Sequence, residues 1–127
     1  MNTIATKLVV AGILFLFALI SGVIISHSGR PLNVGLVTIH KLIAVATVVL
    51  IGMAVNQLYK TGDGRMIIGL SVIVITGVLF LTLIATGALL TRDIQLPEAI
   101  LKVHQVAPLL ALVSSTIAVY LLARGNP

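Results

Sequence analysis

Apolar residues in this chain run on for twenty or more positions at a time, and the charges fall between the runs. Residues 8–26 carry no charge and follow Lys7. Residues 32–59 are uncharged except for Lys41, with His40 beside it. Residues 66–91 are uncharged throughout, and residues 99–123 carry only Lys102 near their start and end at Arg124. A helix of about 20 predominantly apolar residues covers the hydrocarbon core of a bilayer, so the pattern predicts four transmembrane helices. The connectors hold the turn formers: Ser28-Gly29-Arg30-Pro31, Thr61-Gly62-Asp63-Gly64, and residues 92–97. Pro31 and Pro97 each stand just ahead of an apolar run, where a proline starts a helix more readily than it continues one. Short connectors join antiparallel neighbours, which predicts an all-α integral membrane protein, one up-down four-helix bundle over residues 1–127.

Composition narrows the function classes. The chain is 59% hydrophobic and 9% charged, whereas a soluble domain carries roughly a quarter charged residues. Having no cysteine, it has no disulfides, thiolate metal sites, iron–sulfur clusters or thiol redox chemistry. The net charge of +5 comes from basic residues scattered along the chain, and aromatic residues make up 4%, which is a poor basis for nucleic-acid binding. The charge suits anionic lipid head groups, or an anionic ligand group near the surface.

The first apolar run is longer than the 7–15 residues of a signal-peptide core, and no small-residue cleavage motif follows it. It therefore reads as a span, and four spans put both termini on one side. Lys7, Lys60, Arg65 and Arg124 lie on the terminus side, against Arg30, Lys41, Arg92 and Lys102 on the other. That is a tie under the positive-inside rule. Discounting Lys41 and Lys102, which sit inside their apolar segments, favours cytoplasmic termini in an inner cell membrane. Tyr59 and Tyr120 fall near the terminus-side boundary, as members of an aromatic belt would.

The chain also repeats itself. Gly12-Ile-Leu-Phe-Leu-Phe-Ala-Leu-Ile-Ser-Gly22 matches Gly77-Val-Leu-Phe-Leu-Thr-Leu-Ile-Ala-Thr-Gly87 at an offset of 65, with both glycines, Leu14/Leu79, Phe15/Phe80 and Leu16/Leu81 identical. The match resumes at an offset of 64, where Thr38-Ile-His40-Lys-Leu-Ile-Ala meets Lys102-Val-His104-Gln-Val-Ala-Pro. Apolar matches arise by chance in such a chain, so the paired glycines and paired histidines carry the weight. Two parallel-repeat helical hairpins follow, about 4–60 and 66–124, related by an expected pseudo-twofold axis along the membrane normal.

That symmetry is expected to set His40 and His104 at equal depth, roughly 8–12 Å below one face. Ionisable residues within a span are costly, and count as functional candidates by default. A bare zinc or copper ion wants three or four protein ligands, and the spans offer no carboxylate or thiol to complete such a set. Haem iron already has four macrocycle nitrogens and needs only two axial ligands, which two neutral imidazoles supply. Gly22 and Gly87 lie near the histidine level, where a missing side chain would admit a flat macrocycle edge. Ala44, Thr47, Ala107 and Ala111 keep the histidine faces small. Lys41, Lys102, Arg30 and Arg92 ring the nearby surface, where haem propionates need positive partners. Pro108 deprives the His104 carbonyl of its helical partner and is expected to bend the last span. His27, at the end of the first span with Arg92 as its repeat mate, is expected to meet only water or lipid.

Ile39-His40-Lys41-Leu42-Ile43-Ala44 and Val103-His104-Gln105-Val106-Ala107-Pro108 resemble the haem-ligand segments of membrane-bound b-type cytochromes. The likeness covers all four spans in pattern and two short segments in residue detail. It implies a four-helix bundle holding haem b between histidines of different spans and exchanging electrons with quinones or redox partners. Many such cytochromes carry two haems; here the terminus-side half has no histidine. The expected function is electron transfer through one low-spin bis-histidine haem b, with the unused ring nitrogens donating to a backbone carbonyl or a hydroxyl. Its partner would be a quinol, superoxide or another redox protein. Lys41, Gln105 and Lys102 are the polar candidates for a quinone site, and a homodimer would unite two haems. The alternatives are a cofactor-free transporter or channel and a structural membrane subunit. Small four-span exporters use a membrane-embedded carboxylate, which these spans lack, and the run from Val72 to Phe80 does not look like the polar run of fluoride channels.

Overall fold

The computed structural model describes residues 3–61, 67–92 and 94–124. The fold is all-α: helices α1 (Ile4–His27), α2 (Val34–Thr61), α3 (Ile67–Leu90) and α4 (Glu98–Arg124), with no strand among the described residues. All four are long and apolar enough to cross a membrane. Leu16, Leu42, Leu81 and Leu109, one on each helix, are more than half exposed. Apolar surface on this scale is unsuited to water, whereas in lipid it is the ordinary outer face of helices whose backbone bonds are all internal.

Local chemistry explains where the helices begin and end. Thr3 caps α1 by accepting a hydrogen bond from the Thr6 amide at 3.3 Å. At the other end the Ser28 amide donates to the Ile24 carbonyl at 3.0 Å, and Gly29 follows at φ +71°. A left-handed glycine just past the last turn is a common helix stop, since a Cβ would be strained there. The start of α2 differs from the expectation. Pro31 does not open it; the helix starts three residues later behind Asn33, whose side-chain oxygen accepts from the Leu36 amide at 3.1 Å. Asparagine satisfies an orphan amide that proline cannot reach. In α4 the helix continues unbroken through Pro108.

The contacts divide the chain into two compact units, Met1–Ala54 and Val55–Pro127, with the boundary in the last two turns of α2. In the first, Ala11, Phe15, Thr47 and Ala54 are buried. In the second, α3 packs on α4, and Thr76, Phe80, Ala107, Ala111, Ser115 and Ala118 are buried. Positions matched at offsets of 65 and 64 share this burial, as Phe15 with Phe80, Thr47 with Ala111, and Ala54 with Ala118. Small residues let helix backbones approach closely, which counts in lipid because no hydrophobic force drives helices together.

Most hydroxyls are satisfied within their own helix: Thr38, Thr47, Thr82 and Thr116 donate to the carbonyls of Val34, Ile43, Val78 and Leu112 at 2.8–2.9 Å. One pair of hydroxyls ties α3 to α4. Thr76 commits its proton to the Val72 carbonyl at 2.8 Å, so Ser114 is the donor in the hydrogen bond between the two hydroxyls.

Candidate functional site

His40 is the seventh residue of α2 and His104 the seventh of α4. Six residue steps of 1.5 Å put each about 9 Å along its helix. Both side chains are half-buried. Within each hairpin the imidazole lies against the preceding helix, and it meets the same two chemical groups there.

In the first hairpin the Ser21 hydroxyl of α1 lies 2.9 Å from His40 Nδ1 and donates its own proton to the Ala18 carbonyl at 3.0 Å. The next residue is Gly22, where a Cβ would stand 3.2 Å from His40 Cε1 and 3.8 Å from Nδ1. In the second hairpin the Thr86 hydroxyl of α3 lies 2.8 Å from His104 Nδ1 and donates to the Thr82 carbonyl at 2.7 Å. Gly87 follows, and a Cβ there would stand 3.0 Å from His104 Cε1 and 3.7 Å from each ring nitrogen. A hydroxyl, a glycine and an imidazole thus recur in the same arrangement twice.

This places each predicted residue. Gly22 and Gly87 do lie at the histidine level, and the group that occupies the space over them is the imidazole ring itself. A side chain would push the ring off the helix. Thr47, Ala107 and Ala111 are buried and Ala44 is half-buried, while Lys41, Gln105, Arg30 and Arg92 are exposed. Lys102 is exposed too, and its Nζ pairs with Glu98 Oε1 one turn earlier at 3.3 Å. An exposed pair of this kind contributes little stability. His27 is exposed at the end of α1, and its Nδ1 donates to the Val23 carbonyl at 2.9 Å.

Ser21 and Thr86 are the site residues that the sequence pattern did not single out. A signal was present: both are hydroxyl residues, they are repeat mates, and each immediately precedes a matched glycine. Among the described residues no three histidine, cysteine or acidic side chains come together. Each hairpin sets one imidazole against its hydroxyl and glycine, and imidazole is the axial ligand type that haem iron takes. No protein-family model, curated protein or solved structure matches this chain.

Proposed function

We propose that this protein is a membrane electron-transfer protein carrying one low-spin haem b, with His40 and His104 as its two axial ligands. The observation that supports this reading most is the duplicated setting of the two imidazoles: each is the seventh residue of its helix, and each is seated on a glycine and bonded through Nδ1 to a hydroxyl. Histidines that ligate metals almost always make such a bond with their second nitrogen, which fixes the ring. Bound haem supplies one-electron exchange between ferric and ferrous iron, and filled axial positions disfavour oxygen chemistry.

In this reading the chain's own residues orient the imidazoles and balance charge. Gly22 and Gly87 let the rings lie close to α1 and α3. Lys41 and Lys102, each within two residues of a histidine, offer positive charge to propionates. A quinol, superoxide or another redox protein would exchange electrons with it. With Lys41 and Lys102 set aside as partners of the ligand, the remaining basic residues favour cytoplasmic termini in an inner cell membrane. A structural subunit is the second reading, because the Ser21–His40 and Thr86–His104 bonds also tie helices together.

An absorption spectrum of the detergent-purified protein, oxidised and then reduced with dithionite, separates the two. Sharp α and β bands with one haem per chain are expected. His40→Ala or His104→Ala should abolish haem retention and His27→Ala should preserve it. A colourless protein that takes up no added haemin would overturn the haem reading and favour the structural one.

A further inference from the structure

The geometry points to Ser21 and Thr86 as positioning residues that hold His40 and His104 in the Nδ1–H tautomer and so select Nε2 as the nitrogen presented to a metal. The consequence for haem rests on the function proposed above; the tautomer does not.

The argument is one of proton accounting. A hydroxyl has one proton to give and two lone pairs with which to accept. Ser21 gives its proton to the Ala18 carbonyl, and Thr86 gives its proton to the Thr82 carbonyl. Each hydroxyl then faces its histidine with a lone pair, at 2.9 and 2.8 Å. A neutral imidazole carries one proton, and a nitrogen facing a lone pair at that distance must be the one that holds it. Nδ1 is therefore the donor and Nε2 the nitrogen with the basic lone pair, the state in which imidazole ligates a metal. Donation from Nδ1 also raises the basicity of Nε2, which favours ferric over ferrous iron. Both halves of the device are written in the sequence as hydroxyl-glycine, Ser21-Gly22 and Thr86-Gly87, each set against its own histidine.

The test uses the full chain in nanodiscs, haem-free and labelled with ¹⁵N-histidine. Long-range proton–nitrogen spectra should show Nδ1 protonated and Nε2 unprotonated at both histidines. Ser21→Ala should disturb the tautomer of His40 alone, and Thr86→Val that of His104 alone. The reciprocal changes Ser21→Thr and Thr86→Ser, which exchange the hydroxyl residues of the two hairpins, should keep the wild-type tautomers. Haemin titration of the same samples should show binding about 10–100-fold weaker in Ser21→Ala and Thr86→Val, restored in the hydroxyl-keeping variants. Where haem is retained, the midpoint potential should rise. Nε2–H signals in the wild type, or tautomers unmoved by removal of either hydroxyl, would overturn the assignment. Absence of haemin binding by the wild type would sink the haem reading alone, since the tautomer spectra decide the positioning role without any metal.

Discussion

Gly87→Ala is the smallest change that tests whether the imidazole is seated as described. The added Cβ would stand 3.0 Å from His104 Cε1. Carbon atoms sit best about 3.5–4.0 Å apart, so the ring must withdraw from α3 by a few tenths of an ångström. Thr86 is on the same helix, one residue away, and its 2.8 Å bond to Nδ1 lengthens with that movement. A few tenths of an ångström takes that bond towards the long end of the usual range of about 2.7–3.2 Å for N–H···O and weakens it. Overpacking of this kind costs about 1–3 kcal/mol, while alanine returns up to about 1 kcal/mol of helix propensity. The net expectation is a loss of roughly 0–2 kcal/mol in thermal unfolding in detergent. Haemin affinity should fall, by less than the roughly 10–100-fold that follows loss of an outer partner of a metal ligand. Gly77→Ala is the internal control. It lies on the same helix, is exposed, and its Cβ would meet nothing within 4 Å, so stability should rise by up to about 1 kcal/mol and haemin affinity should hold. Gly22→Ala, with its contact at 3.2 Å, should fall between the two. Equal stability and equal haemin affinity in Gly87→Ala and Gly77→Ala would refute the seating of the ring.

Two further changes probe the polar groups deeper in the second unit. Thr76→Val removes the acceptor of the Ser114 hydroxyl and should destabilise the α3–α4 pair by about 0.6 kcal/mol, the average for interhelical bonds in lipid, and by no more than about 1.7 kcal/mol; thermal unfolding unchanged from wild type would mean that this bond holds nothing. The Ser115 Oγ is buried without a hydrogen-bond partner among the described residues, so Ser115→Ala should be neutral or stabilising by up to about 1 kcal/mol. Clear destabilisation on unfolding would show that the hydroxyl is engaged.

Much of the architecture is legible along the chain. Four uncharged runs of sufficient length have one economical fate in a bilayer, since only a helix satisfies every backbone amide and carbonyl within its own segment. The helix limits agree with the charge-bounded runs to within a few residues, as for 99–123 against Glu98–Arg124. The start of α2 departs from Pro31 because Pro31 and Asn33 both carry a start signal, and the bond from the Leu36 amide goes to Asn33. The histidines stand out for the same reason as the spans: an ionisable group is conspicuous against uninterrupted hydrocarbon, and its recurrence with a glycine at a fixed offset is a pattern of letters.

The partners of those histidines are of a different kind. Ser21 and Thr86 look no different in sequence from Thr38 or Thr116, because any hydroxyl in a helix can bond back to a carbonyl one turn earlier, and all four do. What distinguishes Ser21 and Thr86 is the rotation of α1 and α3 about their own axes, which turns those two hydroxyls and the glycines beside them towards an imidazole on the following helix. That rotation is a matter of packing against a neighbouring helix, where Phe15 of α1 and Phe80 of α3 are buried, and not of local hydropathy. The span limits and the level of the histidines are therefore properties of single segments. The hydrogen bonds at Nδ1 and the contacts over Gly22 and Gly87 exist only once two helices are in contact.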